Sequence, residues 1–581
     1  MKRLLLTISI GIACITFKPA MGQSKTIKLR VIETSDVHGY FFPYDFVEGN
    51  IIDGTLARAN TYINNLRKNY GNRLLLLDNG DILQGQPTCY WSNYVATDEE
   101  NIAASIINYM GYDAETFGNH DIETGHAVYD KWIKEVKCPV LGANIVDKET
   151  GMPYVLPYTI CVRDGVKIAV LGMLTPTIPC WLNEDLWKGL DFQEIVNCAR
   201  HWVSYIKAVE HADLIIGLFH SGKNGGITMD NGIEEDVTER VAREVPGFDI
   251  IFFGHDHQQH NEWVTNVEGK QVLILDPSCW ALAVADAQIE LTYESGRLIK
   301  KDIQGTIVSI RNESVDEEMI AHFKPQLDRI KAYVNRPIGI FEAEARTRDA
   351  YFGSSSFIDF IHNLQLQISK ADISFNAPLS YDATIHAGEI TVADMFKLYR
   401  YENQLYVLQM TGREVRKHLE ESYDRWVNTM VSPDDHLLLL NIQSRSDQQR
   451  MGFKNFTFNF DSAAGIDYEV DVTKPNGQKV HILQMSNGEP FNEQKIYKVV
   501  MNSYRANGGG ELITKGAGIP KEEIDKRIVY QSPLDLRHYL MKEIEKQGNV
   551  KPNANKNWKF VPETWTVPAS HRDYQLLFGG K

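Results

Sequence analysis

The first half of the chain alternates short apolar, β-type runs with helical patterns. The runs are Ile27–Glu33, Leu74–Leu77, Lys167–Leu174, Asp213–Phe219, Asp249–Phe253 and Val272–Leu275. That alternation predicts an α/β domain. A polar stretch from about Val315 to Tyr333 then sets Met319, Ile320, Phe323, Leu327, Ile330 and Val334 at helical spacing and ends in Asn335-Arg336-Pro337. It predicts a helix joining two large domains. Beyond it, Gln404–Met410 alternates apolar and polar residues, and Gly508-Gly509-Gly510 closes a run that starts at Met501. The expected layout is a first domain over 26–310, a connecting helix over 315–336, a second domain over 337–562 and a tail over 563–581.

Composition narrows the class. Of 581 residues, 43% are apolar and 23% charged, as in soluble globular proteins. Disordered, collagen-like and polytopic membrane chains are excluded. The net charge is −16. Polynucleotide binding rests on many Lys and Arg contacts to phosphate, so that partner class is not expected. Small phosphate esters remain open, because a metal site meets them with its own charge.

The segment Met1–Gln23 reads as a secretory signal. Lys2 and Arg3 precede an apolar run to Phe17, and Ala20-Met21-Gly22 is a small-x-small cleavage site, which predicts a signal over 1–22 and a periplasmic or secreted product. A lipid anchor at Cys14 is the lesser alternative, since apolar residues continue past it. No later segment is long and apolar enough to span a bilayer, so stable membrane insertion is not expected. The seven cysteines all precede residue 280 and form no CxxC pair. Isolated thiols are the simplest reading.

Polar clusters follow the apolar runs. Ile27–Glu33 leads into Thr34-Ser35-Asp36-Val37-His38, and Leu74–Leu77 into Asp78-Asn79-Gly80-Asp81. His220 follows Phe219, Gly254-His255-Asp256-His257 follows Phe253, and Gly118-Asn119-His120-Asp121 follows Phe117. Singly, each has an ordinary explanation as a turn or a satisfied buried histidine. Together they sit where strands end, and open α/β sheets bind ligands beyond those ends. Carboxylate, amide and imidazole donors without thiols suit Mn, Zn, Fe, Co or Mg. They exceed the needs of one tetrahedral ion, and two ions sharing a carboxylate would use them all. Asp78 and Asp256 read as supporting hydrogen-bond groups.

Taken in order, Asp36-x-His38, Gly80-Asp81, Gly118-Asn119-His120, His220 and Gly254-His255-x-His257 resemble the calcineurin-like metallophosphoesterases over about Thr26 to Val308. The resemblance implies a four-layer α/β/β/α domain with two divalent ions. One would be held by Asp36, His38, Asp81 and His257, the other by Asp81, Asn119, His220 and His255. It implies that His120 faces the leaving oxygen of the substrate, where a general acid is needed. Related 5′-nucleotidases place an Asp three residues after that histidine. Here Glu123 stands there, and Asp121 is the other candidate to orient the imidazole.

The second half resembles the C-terminal domain of the 5′-nucleotidase family, an α/β nucleotide-binding domain. The resemblance implies that Tyr401 and Tyr504 clamp the nucleobase, with Asn403 at its edge. It implies that Gly508 and Gly509 let the backbone approach the ribose, and that the connecting helix carries the hinge of an interdomain rotation. Asn502-Ser503-Tyr504-Arg505-Ala506, Phe460–Tyr468 and Ala377-Pro378 are similar to the periplasmic 2′,3′-cyclic-nucleotide 2′-phosphodiesterase/3′-nucleotidase branch. Arg346 and Arg348 are further candidates to meet a phosphate. The expected function is hydrolysis of small nucleotides by an exported dinuclear-metal phosphoesterase. A 5′-nucleotidase or nucleotide-sugar hydrolase is the enzymatic alternative, and a sulfur-oxidation hydrolase on this scaffold is a third. A non-catalytic nucleotide-binding or surface protein would have lost ligands that are present here.

Overall fold

The computed structural model describes residues 24–229, 231–446 and 450–579; the expected signal over 1–22, with Cys14, lies outside them. The first half builds two six-stranded sheets. One runs in the order Arg297–Ser309, Ala283–Glu294, Ser24–Thr34, Leu74–Asp78, Ala114–Thr116, Val140–Leu141. The other runs Gln259–Thr265, Gln271–Pro277, Ile250–Phe253, Leu214–His220, Val166–Leu174, Tyr158–Arg163. Leu29, Val31, Leu75 and Leu77 from one sheet and Ile168, Val170, Ile216 and Leu218 from the other share a single buried core. Each such side chain contributes about 1.5–3 kcal/mol on burial, which is what holds the sheets face to face.

Helices cover both outer faces and complete the α/β/β/α layering. Leu56–Tyr70 starts on Thr55, whose side chain accepts from the Arg58 N–H. Ile102–Met110 starts on Asn101, which accepts from the N–H groups of Ala103 and Ala104, and ends at left-handed Gly111. Such caps satisfy amides that lack partners within the helix. On the opposite face, Val196, Ala199 and Val203 of Ile195–Tyr205 and Val241 of Thr238–Glu244 pack against Ile215 and Ile251. The central strands of both sheets pair in parallel. Their carboxyl ends therefore lie along one rim, where the polar clusters emerge.

A helix over Glu317–Val334 follows, with Met319, Phe323, Leu327, Ile330 and Val334 buried in the first domain's core. The second half centres on a five-stranded sheet in the order Ser462–Ala464, Ile373–Asn376, Ile496–Asn502, Gln404–Thr411, Ile528–Asp535. Residues expected as a tail are part of this half. Glu563–Phe578 is a helix whose Ala569, Leu577 and Phe578 enter the second-domain core. Asp573 of that helix accepts from the Leu438 N–H at 2.9 Å. Its apolar residues recur too unevenly to signal an amphipathic helix, and burial against distant strands compensates. Cys89, Cys138, Cys161 and Cys198 are free thiols. Among the described residues, no helix is long and apolar enough to cross a membrane.

Candidate metal and substrate site

The parallel strands deliver their clusters to one rim through tight, irregular turns. Asp36, His38, Asp81, His255 and His257 all have left-handed backbone, with φ between 49° and 82°. Outside glycine that conformation is uncommon and clusters at functional sites. Hydrogen bonds hold it: the Asp36 N–H donates to the Gly80 carbonyl at 3.0 Å and the His38 N–H to the Asp81 carbonyl at 2.8 Å. Gly118 is required by close approach, because a Cβ there would lie 2.0 Å from Asp81 Oδ1.

Asp36, His38, Asp81 and His257 bring one donor atom each to within 4.8 Å of one another. The Nε2 atoms of His38 and His257 face each other at 3.1 Å. Asp36 Oδ1 is buried and accepts no well-directed hydrogen bond, although His257 Nε2 is 3.2 Å away. Such convergence of carboxylate and imidazole atoms suits a divalent cation. Burial holds His38 down to about 3, so its imidazole is neutral and offers a lone pair. Burial opposes ionisation of Asp36, but His220 and His257 outweigh it and keep the carboxyl below its usual range. Asp81 Oδ2 lies 3.7 Å from His38 Nε2 and 3.3 Å from His220 Nε2. It thus stands between this group and a second one, in which Asn119 Oδ1 is 3.1 Å from His220 Nε2.

His255 joins that second group differently from expectation. Its ring neighbours His220 at 5.2 Å, but its Nε2 is 2.8 Å from Glu235 Oε1. Glu235, Asp236 and His255 bring one donor atom each to within 4.8 Å of one another, a further group able to hold a cation. Glu235 comes from the hairpin Gly225–Thr228/Glu234–Asp236, which sequence reasoning passed over because it carries no motif. Asp236 Oδ1 accepts from the Gly222 N–H at 2.7 Å, bracing the same hairpin.

His120 is the second residue of the helical turn Asn119–Glu123, and its Nδ1 is 2.6 Å from Glu123 Oε2. Burial works against protonating His120, but Asp81 and Glu123 outweigh it and raise it to about 9. Asp121 does not reach the imidazole. Its carboxylate accepts from the N–H groups of Gly118, Asp81, Ile82 and Leu83 at 2.7–2.9 Å, so it shapes the Asp81 turn instead. Asp78 accepts from Thr34 and Gly80, and Asp256 from the Lys223 and Gln258 N–H groups, both as supporting groups.

From the second domain, the Tyr504 ring stands edge-on to Phe458, centroids 6.2 Å apart. Burial raises its hydroxyl to about 12, against the opposing pull of Arg505. Arg505 supports this loop from below through Asp461, Asn459 and the Gly509 carbonyl. Gly509 also packs tightly against the clamp residue: a Cβ there would lie 2.5 Å from the Tyr504 ring. Gly508 takes a left-handed φ of 97°. Asn403 is buried and accepts from the Tyr399 hydroxyl at 3.4 Å. Phe458 was not singled out in the sequence, although Phe456-Thr457-Phe458 is an aromatic signal. Arg346 and Arg348 are paired with Glu344 and Asp382, not aimed at the site.

Residues 29–259 match the calcineurin-like phosphoesterase family model, and residues 332–515 match the 5′-nucleotidase C-terminal domain model. The chain belongs to the 5′-nucleotidase family. It is a hydrolase of two α/β domains, with a side-chain cluster able to hold a metal ion. The 2′,3′-cyclic-nucleotide 2′-phosphodiesterase/3′-nucleotidase of Haemophilus influenzae is 27% identical over 625 residues, covering 96% of this chain and 91% of that protein. The 5′-nucleotidase of Vibrio cholerae is 27% identical over 434 residues, covering 68% of this chain and 75% of that protein. Among solved structures, a 5′-nucleotidase precursor from Thermus thermophilus has the same fold, with a TM-score of 0.61 at 19% identity, covering 92% of this chain and 100% of that one.

Proposed function

We propose that this chain is an exported phosphoesterase that uses two divalent ions to hydrolyse nucleotides, 2′,3′-cyclic nucleotides and 3′-nucleotides first among them. The observation that carries the reading is the convergence of Asp36, His38, Asp81 and His257, with Asp81 also 3.3 Å from His220. In the second domain, Tyr504 and Phe458 stand edge to face and offer aromatic faces suited to a nucleobase. The Haemophilus relative, similar along nearly the whole chain, supports the cyclic and 3′ preference. The expected signal over 1–22 supports export.

In this reading Asp36, His38, Asp81 and His257 hold one ion, and Asp81, Asn119, His220 and His255 the other. Divalent ions there supply activation of water and neutralisation of phosphoryl charge. His120 donates a proton from Nε2 to the departing oxygen, while Glu123 holds Nδ1 and with it the orientation of the ring. Tyr504, Phe458 and Tyr401 supply stacking faces for the base, and Asn403 a polar group near its edge.

Hydrolysis of 2′,3′-cyclic AMP, 3′-AMP and 5′-AMP, compared side by side with Mn²⁺, tests the reading. Faster turnover of the first two is expected. Preference for 5′-AMP would replace it with the 5′-nucleotidase reading that the Vibrio relative suggests. No turnover of any nucleotide, with metal bound, would leave a non-catalytic binding protein.

A further inference from the structure

The domains meet through residues 399–403, between the helix Val392–Leu398 and the strand Gln404–Thr411. Tyr401 and Asn403 drew notice in the sequence, yet Arg400 and Glu402 make the contacts. Gln84 Nε2, from the first domain, donates to Glu402 Oε2 at 3.1 Å. The other Glu402 oxygen accepts from Arg537 Nη1 at 2.8 Å. Arg537 also donates to the carbonyls of Tyr399 at 3.0 Å and Arg400 at 2.6 Å. Its guanidinium lies 3.8 Å from the centre of the Phe396 ring and 5.1 Å from that of Tyr90 in the first domain. The Glu402 side chain is only 10% exposed. A buried, charged hydrogen bond of this kind is costly to break on one side.

Both ends of the loop lead to the donor cluster. The Gln84 backbone carbonyl is 3.2 Å from His38 Nδ1, which turns His38 Nε2 toward the cluster. On the other side, the Arg400 guanidinium lies 5.8 Å from the centre of the Trp280 ring. The Trp280 ring stacks on Tyr40 at 5.7 Å, and the Trp280 backbone N–H donates to the Asp36 carbonyl at 2.8 Å. Trp280 has a φ of 61°, which a bulky residue adopts only where its surroundings impose it.

We propose that Arg400 and Glu402 form a two-pronged latch that couples docking of the second domain to the loops presenting Asp36 and His38. Docking braces these two residues for a cation, and a cation held there favours docking. The coupling is reciprocal by thermodynamic linkage. Arg400 and Glu402 are positioning residues, since neither belongs to the donor cluster. The inference rests on the metal-binding part of the reading above and not on the identity of the substrate.

The test uses the full-length protein, stripped of metal by a chelator. Calorimetric titration with Mn²⁺ gives affinity, and small-angle X-ray scattering with and without Mn²⁺ gives the radius of gyration. Glu402→Ala, alone and with Arg400→Ala, should weaken Mn²⁺ binding by roughly 5-fold or more, the lower edge of usual coupling. Mn²⁺ should contract the wild type more than these variants. Glu402→Gln keeps the shape of the side chain and should fall between, which covers an Ala variant that folds poorly. Glu48→Ala removes the exposed interdomain pair Glu48–Lys397, whose Glu48 side chain is 55% exposed; such pairs add little to docking, so Mn²⁺ binding should stay close to the wild type. Equal Mn²⁺ affinity and equal contraction in wild type and Glu402 variants would overturn the latch alone. A wild type that binds no Mn²⁺ would overturn the metal reading as well, so the two failures are distinguishable.

Discussion

His120 Nδ1 and Glu123 Oε2 lie 2.6 Å apart on one turn beside the Asp81 carboxylate. In the proposed mechanism that pairing leaves Nε2 to act on the substrate and gives Glu123 the orienting role. General-acid contributions are typically ~10²–10⁴-fold. His120→Ala should cost that much on a nucleotide and much less on a nitrophenyl phosphate, whose leaving group needs no proton. Glu123→Gln should show the same pattern at smaller size. Equal losses on both substrates would remove His120 from the acid role.

Asp81 stands between the two donor groups, within 3.7 Å of His38 and 3.3 Å of His220. Asp81→Ala should abolish turnover and lower bound metal in elemental analysis, because both groups lose one carboxylate. The fold should survive, since Asp121 still holds the turn through four N–H groups. Full metal content with normal rates would refute a shared ligand.

Stacking on a base is worth ~1–3 kcal/mol, which is roughly a ten- to hundred-fold change in kcat/KM. Tyr504→Ala and Phe458→Ala should each cost that much with nucleotides, and Tyr401→Ala distinguishes a third stacking face from a loop support. Tyr504→Phe should be mild. A base-free phosphodiester should be hydrolysed by all of these variants at close to the wild-type rate. Parallel losses on both substrates, with a lowered melting temperature, would mean that the rings only hold their loops.

Phe578 is 2% exposed in the second-domain core. Truncating a buried Phe to Ala usually costs about 3–5 kcal/mol. Phe578→Ala, or removal of residues after Pro562, should therefore lower the melting temperature and nucleotide turnover together. An unchanged melting curve would mean that the helix Glu563–Phe578 is dispensable.

The first domain was legible because its information is local. Buried strands read as apolar runs, and Asp36, Asp81, Asn119, His220 and His255 sit where those runs end. The rule that parallel sheets bind ligands beyond their carboxyl ends converts that order into convergence. What the sequence could not decide depends on separate segments meeting. Glu235 reaches His255 because a hairpin without a motif folds over it, and Phe458 meets Tyr504 across a loop. Glu402 finds Gln84 across 318 residues of chain. Asp121 and Glu123 looked interchangeable until the turn aimed one at the backbone and the other at His120. The terminal helix looked like a tail because its apolar residues make sense only against strands far away in sequence. Periodicity records which face of an element is buried, whereas the partner of a single side chain is set by packing between elements.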